Sequence, residues 1–238
     1  MPLATAVDPT KVYRTSIFTI ATFDGKNAAL ASALQFANEQ RHPIRHIVSP
    51  PSKRGEAGFQ EVITRPGAYN LSTDGILVTK EHTAAMYSRD CAITFIMESK
   101  RNEGVLLHCG RPALTPVQHL MNRRHNIITA GLTTLTGQGS NPADLSAYIT
   151  AGICGKCFVH NKEIDKQLLE PFLEAYPESV DLVTGGLDLI GVITKQLTLA
   201  GLRKENIHHD GVCTKSHPGL ASKRGGDSDS NLIVAFVN

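Results

Sequence analysis

The spacing of apolar residues changes period several times along the chain, and each change predicts an element. Residues 13–23 are rich in β-branched and aromatic side chains and read as a strand. Residues 24–41 follow with an Asp at a capping position and a stripe of Leu30, Ala33, Leu34 and Ala37, the spacing of one helical face. A short strand over 43–48, a Pro- and Gly-rich charged loop over 50–59, a strand over 59–64, a loop over 65–73 and a strand over 74–81 come next. Two apolar arms then flank a charged, polar turn, Ser99 to Gly104, which predicts a hairpin. A long helix is expected over 115–135, with Pro116 in its first turn and Val117, Leu120, Ile127, Ile128 and Leu132 on one side. Residues 137–153 read as loop, helical turn and strand. Residues 163–177 are helical in part, interrupted near Pro171 and ended by Pro177. A helix over 187–202 closes at Gly201, a strand covers 205–212, and NLIVAFV forms a terminal strand. Strands and helices interleave without a regular βαβ rhythm, and no repeat is visible. The pattern predicts an α+β fold with mixed sheets.

Composition narrows the class. At 238 residues, 41% hydrophobic and 19% charged, the chain is globular and long enough for a substantial core. A formal net charge of +2 gives no bulk attraction for nucleic acid, so no nucleic-acid partner is expected. Arg123-Arg124 and Lys223-Arg224 are isolated basic pairs. No apolar run reaches the ~18 residues of a membrane span and no secretory apolar segment opens the chain, so the expectation is a cytoplasmic protein without a membrane partner. Five cysteines, an odd number at irregular spacing, do not form a disulfide framework.

Two of the hairpin residues carry chemistry. Cys91, beside Asp90 on the first arm, and His108 on the second both fall toward the open end. An imidazole beside a thiol either activates it as a nucleophile or joins it as a ligand for a borderline cation such as zinc. The plain alternative is a buried cysteine and a hydrogen-bonded core histidine. Cys154-Gly155-Lys156-Cys157 is a C-x-x-C with no second such pair and no H-x-x-x-H partner, which argues against a redox or zinc-knuckle role and for a structural one.

The stretch DGILVTKEHTAAMYSRDCAITFIMESKRNEGVLLHCG resembles the core of the laccase-domain family, first labelled multicopper polyphenol oxidase and now described as purine nucleoside phosphorylases with adenosine deaminase side activity. Asp74 matches the family's first acid, Asp90-Cys91 its Asp-Cys pair, and His108 the His of its HAGWRG motif. NPADLSAYITAGICGKCF, LDLIGVITKQLTLAGLRKENIHHDGVCT and ASKRGGDSDSNLIVAFV are similar to further family stretches in the same order. The resemblance covers roughly residues 43–238.

The resemblance implies a single layered α/β/β/α domain over 1–238, behind a flexible 1–12. It implies one zinc held by Cys91, His108 and a further histidine, for which His46 is the candidate, with His42 and His82 as weaker substitutes. Asp90 and Asp74 are the candidate acids, able to orient a histidine or a metal-bound water. The chain has no Trp, and HAGWRG has become His108-Cys109-Gly110-Arg111-Pro112-Ala113. Arg111 and Arg224 are the expected phosphate-binding cations. The implied activity is zinc-dependent phosphorolysis of a purine nucleoside by phosphate, with adenosine deamination beside it, in a monomer or homodimer. Two readings stand against it: a metal-free hydrolase or deamidase with Cys91 as nucleophile and His108 as base, and a non-catalytic binding protein with a decayed site. Multicopper oxidation is the least supported, since no extra histidine pairs would hold further coppers.

Overall fold

The computed structural model describes residues 8–24, 29–49, 62–63, 70–71, 73–119, 125–160 and 167–238. One six-stranded sheet contains β1 (Lys11–Arg14), β2 (Phe18–Phe23), β3 (Ile44–Val48), β5 (Asn70–Leu71), β7 (Thr83–Ser88) and β14 (Asn231–Val237), in the order β1-β2-β14-β7-β3-β5. A second contains β4 (Val62–Ile63), β6 (Gly75–Thr79), β8 (Ala92–Glu98), β9 (Glu103–Cys109), β10 (Ser146–Ile149) and β13 (Ile207–His209), in the order β13-β10-β8-β9-β6-β4. Both sheets mix parallel and antiparallel pairs. A two-stranded ribbon joins β11 (Val180–Asp181) to β12 (Gly186–Leu187).

Three apolar layers show how these pieces stack. Strand parity assigns each side chain to a layer, because successive residues point to opposite faces. Ile233, Ala235 and Val237 of β14 meet Ile93, Phe95 and Met97 of β8 and Leu106 of β9 between the two sheets. Leu232, Val234 and Phe236 face the other way, onto Ala33 and Ala37 of α1 (Ala29–Glu39). Val105, Leu107 and Cys109 of β9 pack on the far side against α2 (Ile127–Thr136), α3 (Glu170–Ala175) and α4 (Leu189–Leu199). The result is the expected α/β/β/α sandwich with mixed sheets. Strands buried on both faces read as continuous apolar runs, which is why β8 and β14 carry so little polar character.

The hairpin β8–β9 forms in the expected place, with Glu98 opposite Glu103. Asn102 adopts a left-handed φ of 52° in its turn, a conformation Asn tolerates better than most residues. Gly104 lets the Phe95 ring close over the strand: a Cβ there would lie 2.6 Å from the ring.

Several boundaries differ from expectation. The run 13–23 folds back on itself, β1 pairing antiparallel with β2, because the Thr15 hydroxyl accepts the amides of Ile17 and Phe18 and makes a turn. β1 begins at Lys11, inside the span expected to be flexible. The long helix expected over 115–135 is instead two 3₁₀ turns, Arg111–Leu114 and Val117–His119, followed by α2. Asn126 starts that helix, its side chain accepting the Thr129 amide at 2.9 Å, so the apolar spacing spans two elements. Pro171 sits in the first turn of α3, where a missing N–H costs little. The loop expected over 50–59 and the cap expected of the 24–41 helix fall at least partly outside the described residues.

Candidate active site

The register of β8 and β9 builds the site. Ala92 lies opposite Cys109 and Ile93 opposite His108, which places Cys91 at the mouth of the hairpin beside Gly110. On β9, Leu106 faces the layer between the sheets while Leu107 and Cys109 face the helices. His108 shares the Leu106 face, so its ring emerges at the end of the inter-sheet layer. A Cβ placed on Gly110 would sit 3.2 Å from Cys91 Sγ, 3.0 Å from His108 Cε1 and 3.6 Å from His108 Nε2. The thiol and the imidazole therefore converge over a glycine whose missing side chain leaves the space open.

Asp74, just before β6, completes the row. Its Oδ1 lies 2.8 Å from His108 Nδ1, and its backbone carbonyl accepts the His108 amide at 2.7 Å. A carboxylate only accepts, so Nδ1 carries the proton and Nε2 is presented toward Cys91. Burial opposes a charge on this ring, but the adjacent Cys91 sulfur and the hydrogen bonds to Asp74 and Cys91 outweigh it and raise the His108 pKa to about 10. Such a row serves two chemistries. It can hold an imidazolium–thiolate pair, or it can present sulfur and nitrogen to a cation with a carboxylate orienting the imidazole from behind.

A cleft of about 850 Å³ opens over Cys91 and His108. Arg89, Arg111, Lys223 and Arg224 line it, and the one carboxylate among its described lining residues is Asp90. The Arg224 guanidinium lies 5.1 Å over the Phe158 ring and donates to the Val159 carbonyl at 3.0 Å. Both arginines expected from the sequence thus reach the cleft that holds the thiol.

Asp90 is held by donors from the later loops. One oxygen accepts the hydroxyls of Ser222 at 2.6 Å and Thr214 at 3.1 Å, and the other accepts the Arg224 amide at 2.9 Å. Those donors fix the 222–225 loop, so Asp90 positions Arg224, while Asp74 is the acid that orients His108. His46 does not join the cleft. It is buried on β3 with its ring 5.7 Å from that of His82, and the pairing of β3 with β7 shifts register between Ile44 and His46. His42 stacks on Phe236 at 4.6 Å, in the layer under α1. His82 pairs through Nδ1 with the Thr79 hydroxyl at 3.1 Å, in the turn before β7.

Phe158 and His160 were not picked out from the sequence, yet both line the cleft. Phe158 falls within the ICGKCF stretch, where an aromatic directly after a cysteine was the available signal. The cysteines also sort differently from expectation. Cys109 is a core residue whose thiol burial pushes up to about 12. Cys154 and Cys157 are not left as a lone pair: folding brings Cys213 to them, with the three sulfurs within 4.8 Å of one another, a group that could hold a metal ion. Burial raises the Cys154 thiol, whereas hydrogen bonds from Cys154 and Ser216 outweigh burial and lower that of Cys213.

The described residues contain no helix long and apolar enough to cross a membrane. A family model described as multi-copper polyphenol oxidoreductase laccase matches residues 26–229. The purine nucleoside phosphorylase YlmD of Bacillus subtilis (strain 168) is 31% identical over 108 residues, which are 42% of this chain and 37% of the relative. The match therefore spans well under two thirds of that relative's length. The crystal structure of the hypothetical protein YfiH from Bacillus licheniformis superposes with a TM-score of 0.70 at 15% identity, covering 93% of each chain. That of YlmD from Geobacillus stearothermophilus gives 0.64 at 17% identity, over 93% of this chain and 91% of the other. A Neisseria meningitidis protein gives 0.69 at 14%, over 97% and 96%. At these identities the likeness is one of fold.

Proposed function

The chain belongs to the multi-copper polyphenol oxidoreductase laccase family, and from that premise we propose that it is a purine nucleoside phosphorylase working at the Cys91–His108–Asp74 cleft. The observation that carries this reading is the set of four cationic side chains, Arg89, Arg111, Lys223 and Arg224, around a thiol–imidazole pair in one cleft. Such a surround suits an oxyanion co-substrate, and planar guanidinium groups match the oxygens of phosphate. The name of the Bacillus subtilis relative points to the same chemistry.

In this reaction a phosphate oxygen attacks the anomeric carbon of the ribose. The bond from that carbon to the purine nitrogen breaks, its electron pair goes to the base, and the base takes up a proton. The products are the free purine and ribose 1-phosphate. Arg111 and Arg224 hold the phosphate, and Phe158 supplies an aromatic wall for the purine. Asp90 keeps the Arg224 loop in place through its three donors.

The Cys91 sulfur and His108 Nε2 suit a zinc ion, since both converge over Gly110 and Asp74 fixes the tautomer that leaves Nε2 available. Bound there, zinc would supply a Lewis acid or a water of lowered pKa, which is also the chemistry adenosine deamination calls for. His46, the third ligand implied by the family resemblance, lies outside the cleft, so the described residues offer two ligands for this ion.

One observation favours a second reading. Cys91 Sγ and His108 converge over Gly110 with Asp74 bonded to Nδ1 behind the ring, the order of nucleophile, base and orienting acid that fits a thiol hydrolase with Cys91 as nucleophile. Phosphate dependence separates the two. Inosine and adenosine incubated with the protein should release free base only when phosphate is supplied, and Cys91→Ala should abolish the release. Turnover unchanged without phosphate but blocked by iodoacetamide at Cys91 would establish the hydrolase. No turnover of either nucleoside at high protein concentration would point to a binding protein.

A further inference from the structure

We propose that Cys154, Cys157 and Cys213 form a second metal site, a three-thiolate site for zinc, separate from Cys91 and His108. The three sulfurs lie within 4.8 Å of one another. A tetrahedral ion with zinc–sulfur bonds of about 2.3 Å holds its sulfurs about 3.8 Å apart, so small side-chain rotations close the cluster on an ion.

The backbone is arranged for this. β10 and β13 run parallel, with Ala147 opposite Ile207 and Ile149 opposite His209. Parallel neighbours end at the same side of a sheet, and the pairing continues in an isolated bridge between Gly152 and Cys213. Cys154 and Cys213 therefore leave the sheet together. The chain then turns tightly at Cys154, whose carbonyl accepts the amides of both Cys157 and Phe158 at 2.9 Å. That turn returns the second sulfur of the C-x-x-C to the first, as a zinc knuckle requires. The Cys154 amide also points at Cys213 Sγ, 3.4 Å away, a donor that favours sulfur as thiolate. All three cysteines are free thiols of intermediate burial, reachable by an ion without unfolding.

Soft donors select the ion. Three thiolates favour zinc over magnesium or calcium, which take oxygen ligands. Three protein ligands leave the fourth tetrahedral position, and Cys154 and Cys213 line an open cleft of about 590 Å³ from which a water fills it. The site also has a place in the architecture. Phe158, next to Cys157, forms a wall of the active-site cleft. Thr214, next to Cys213, donates to Asp90 at 3.1 Å. One ion would tie together the two segments that hold the aromatic wall and the Asp90 anchor.

The test uses the full-length Cys91→Ala/His108→Ala protein, purified without chelator, so that any metal at the first site is removed. Elemental analysis should find about one zinc per chain, and zinc-edge X-ray absorption should show three sulfurs at about 2.3 Å and one lighter atom. Exchange with cobalt(II) should give intense thiolate-to-metal absorption in the near ultraviolet. Cys213→Ser in the same background should lower the zinc content at least about tenfold. Since that variant could also unfold, the absorption spectrum of the Cys213-containing protein is the deciding measurement. A shell of nitrogen and oxygen only, zinc absent from the double variant, or a disulfide recovered between any two of these cysteines would overturn the proposal. The two sites fail separately: zinc lost with Cys91 and His108 sinks this site alone, and a single three-sulfur zinc in the unmodified protein sinks the first alone.

Discussion

Asp74 and His108 are joined twice, through side chains at 2.8 Å and through the Asp74 carbonyl and His108 amide at 2.7 Å. The backbone bond sets the height of the histidine on its strand, and the side-chain bond sets its tautomer and the rotation of its ring.

Asp74→Asn keeps the shape and removes the charge. An amide can donate to Nδ1 and so favours the tautomer with the proton on Nε2, facing Cys91. We expect the kcat/KM of the proposed phosphorolysis to fall roughly 10- to 100-fold while the melting temperature stays within a few degrees. Steady-state kinetics beside thermal melts check this. An unchanged kcat/KM would remove Asp74 from the machinery.

Gly110→Ala fills the space on which Cys91 and His108 converge. The backbone there is extended, with φ −76° and ψ 158°, so alanine fits the chain itself. Its Cβ at 3.0 Å from the imidazole and 3.2 Å from the sulfur forces both groups back by a few tenths of an ångström. Activity should drop by about tenfold or more with little loss of stability. Full activity in the alanine variant would show that the reacting groups lie elsewhere.

Asp90→Ala leaves the buried Ser222 and Thr214 hydroxyls and the Arg224 amide without their acceptor. Urea unfolding should show a loss of about 3 kcal/mol, and in the proposed reaction the KM for phosphate should rise as Arg224 loses its anchor. Asp90→Asn, which still accepts through one oxygen, should lose less. A loss below about 0.5 kcal/mol for the alanine variant would mean that the loop holds itself.

His42 gives the fold a pH dependence. Burial, and then the charge of Lys80, lower its pKa below the ordinary value of 6.5. The folded ring therefore binds its proton less readily than the unfolded one. Its contribution to stability is complete above about pH 6.5 and is lost as pH falls through the lower folded value. His42→Phe should flatten the dependence of unfolding free energy on pH between about 7 and 5. Equal slopes for the two proteins in urea titrations would assign the acid sensitivity to other groups.

Much of this was legible in the sequence, for a physical reason. Cys91 and His108 lie on the arms of one hairpin, so a local turn and a period of two were enough to bring them together. Asp74 and Arg224 come to the site through sheet pairings and loop packing, and family motifs alone suggested them. Cys213 is 56 residues beyond Cys157, and the parallel pairing that joins them leaves no trace in local periodicity. The long helix over 115–135 misled because apolar spacing is blind to the Asn126 cap in its middle.

The position of β14 has a consequence for how the molecule comes into being. It is the last of the described strands in sequence, yet it lies between β2 and β7, two of the earlier ones. Until residues 231–237 are in place, those two strands each expose an unsatisfied edge, and the layer between the sheets lacks Ile233, Ala235 and Val237. The sheet is thus two halves until residues 231–237 dock between them, like a zip whose slider joins both rows of teeth.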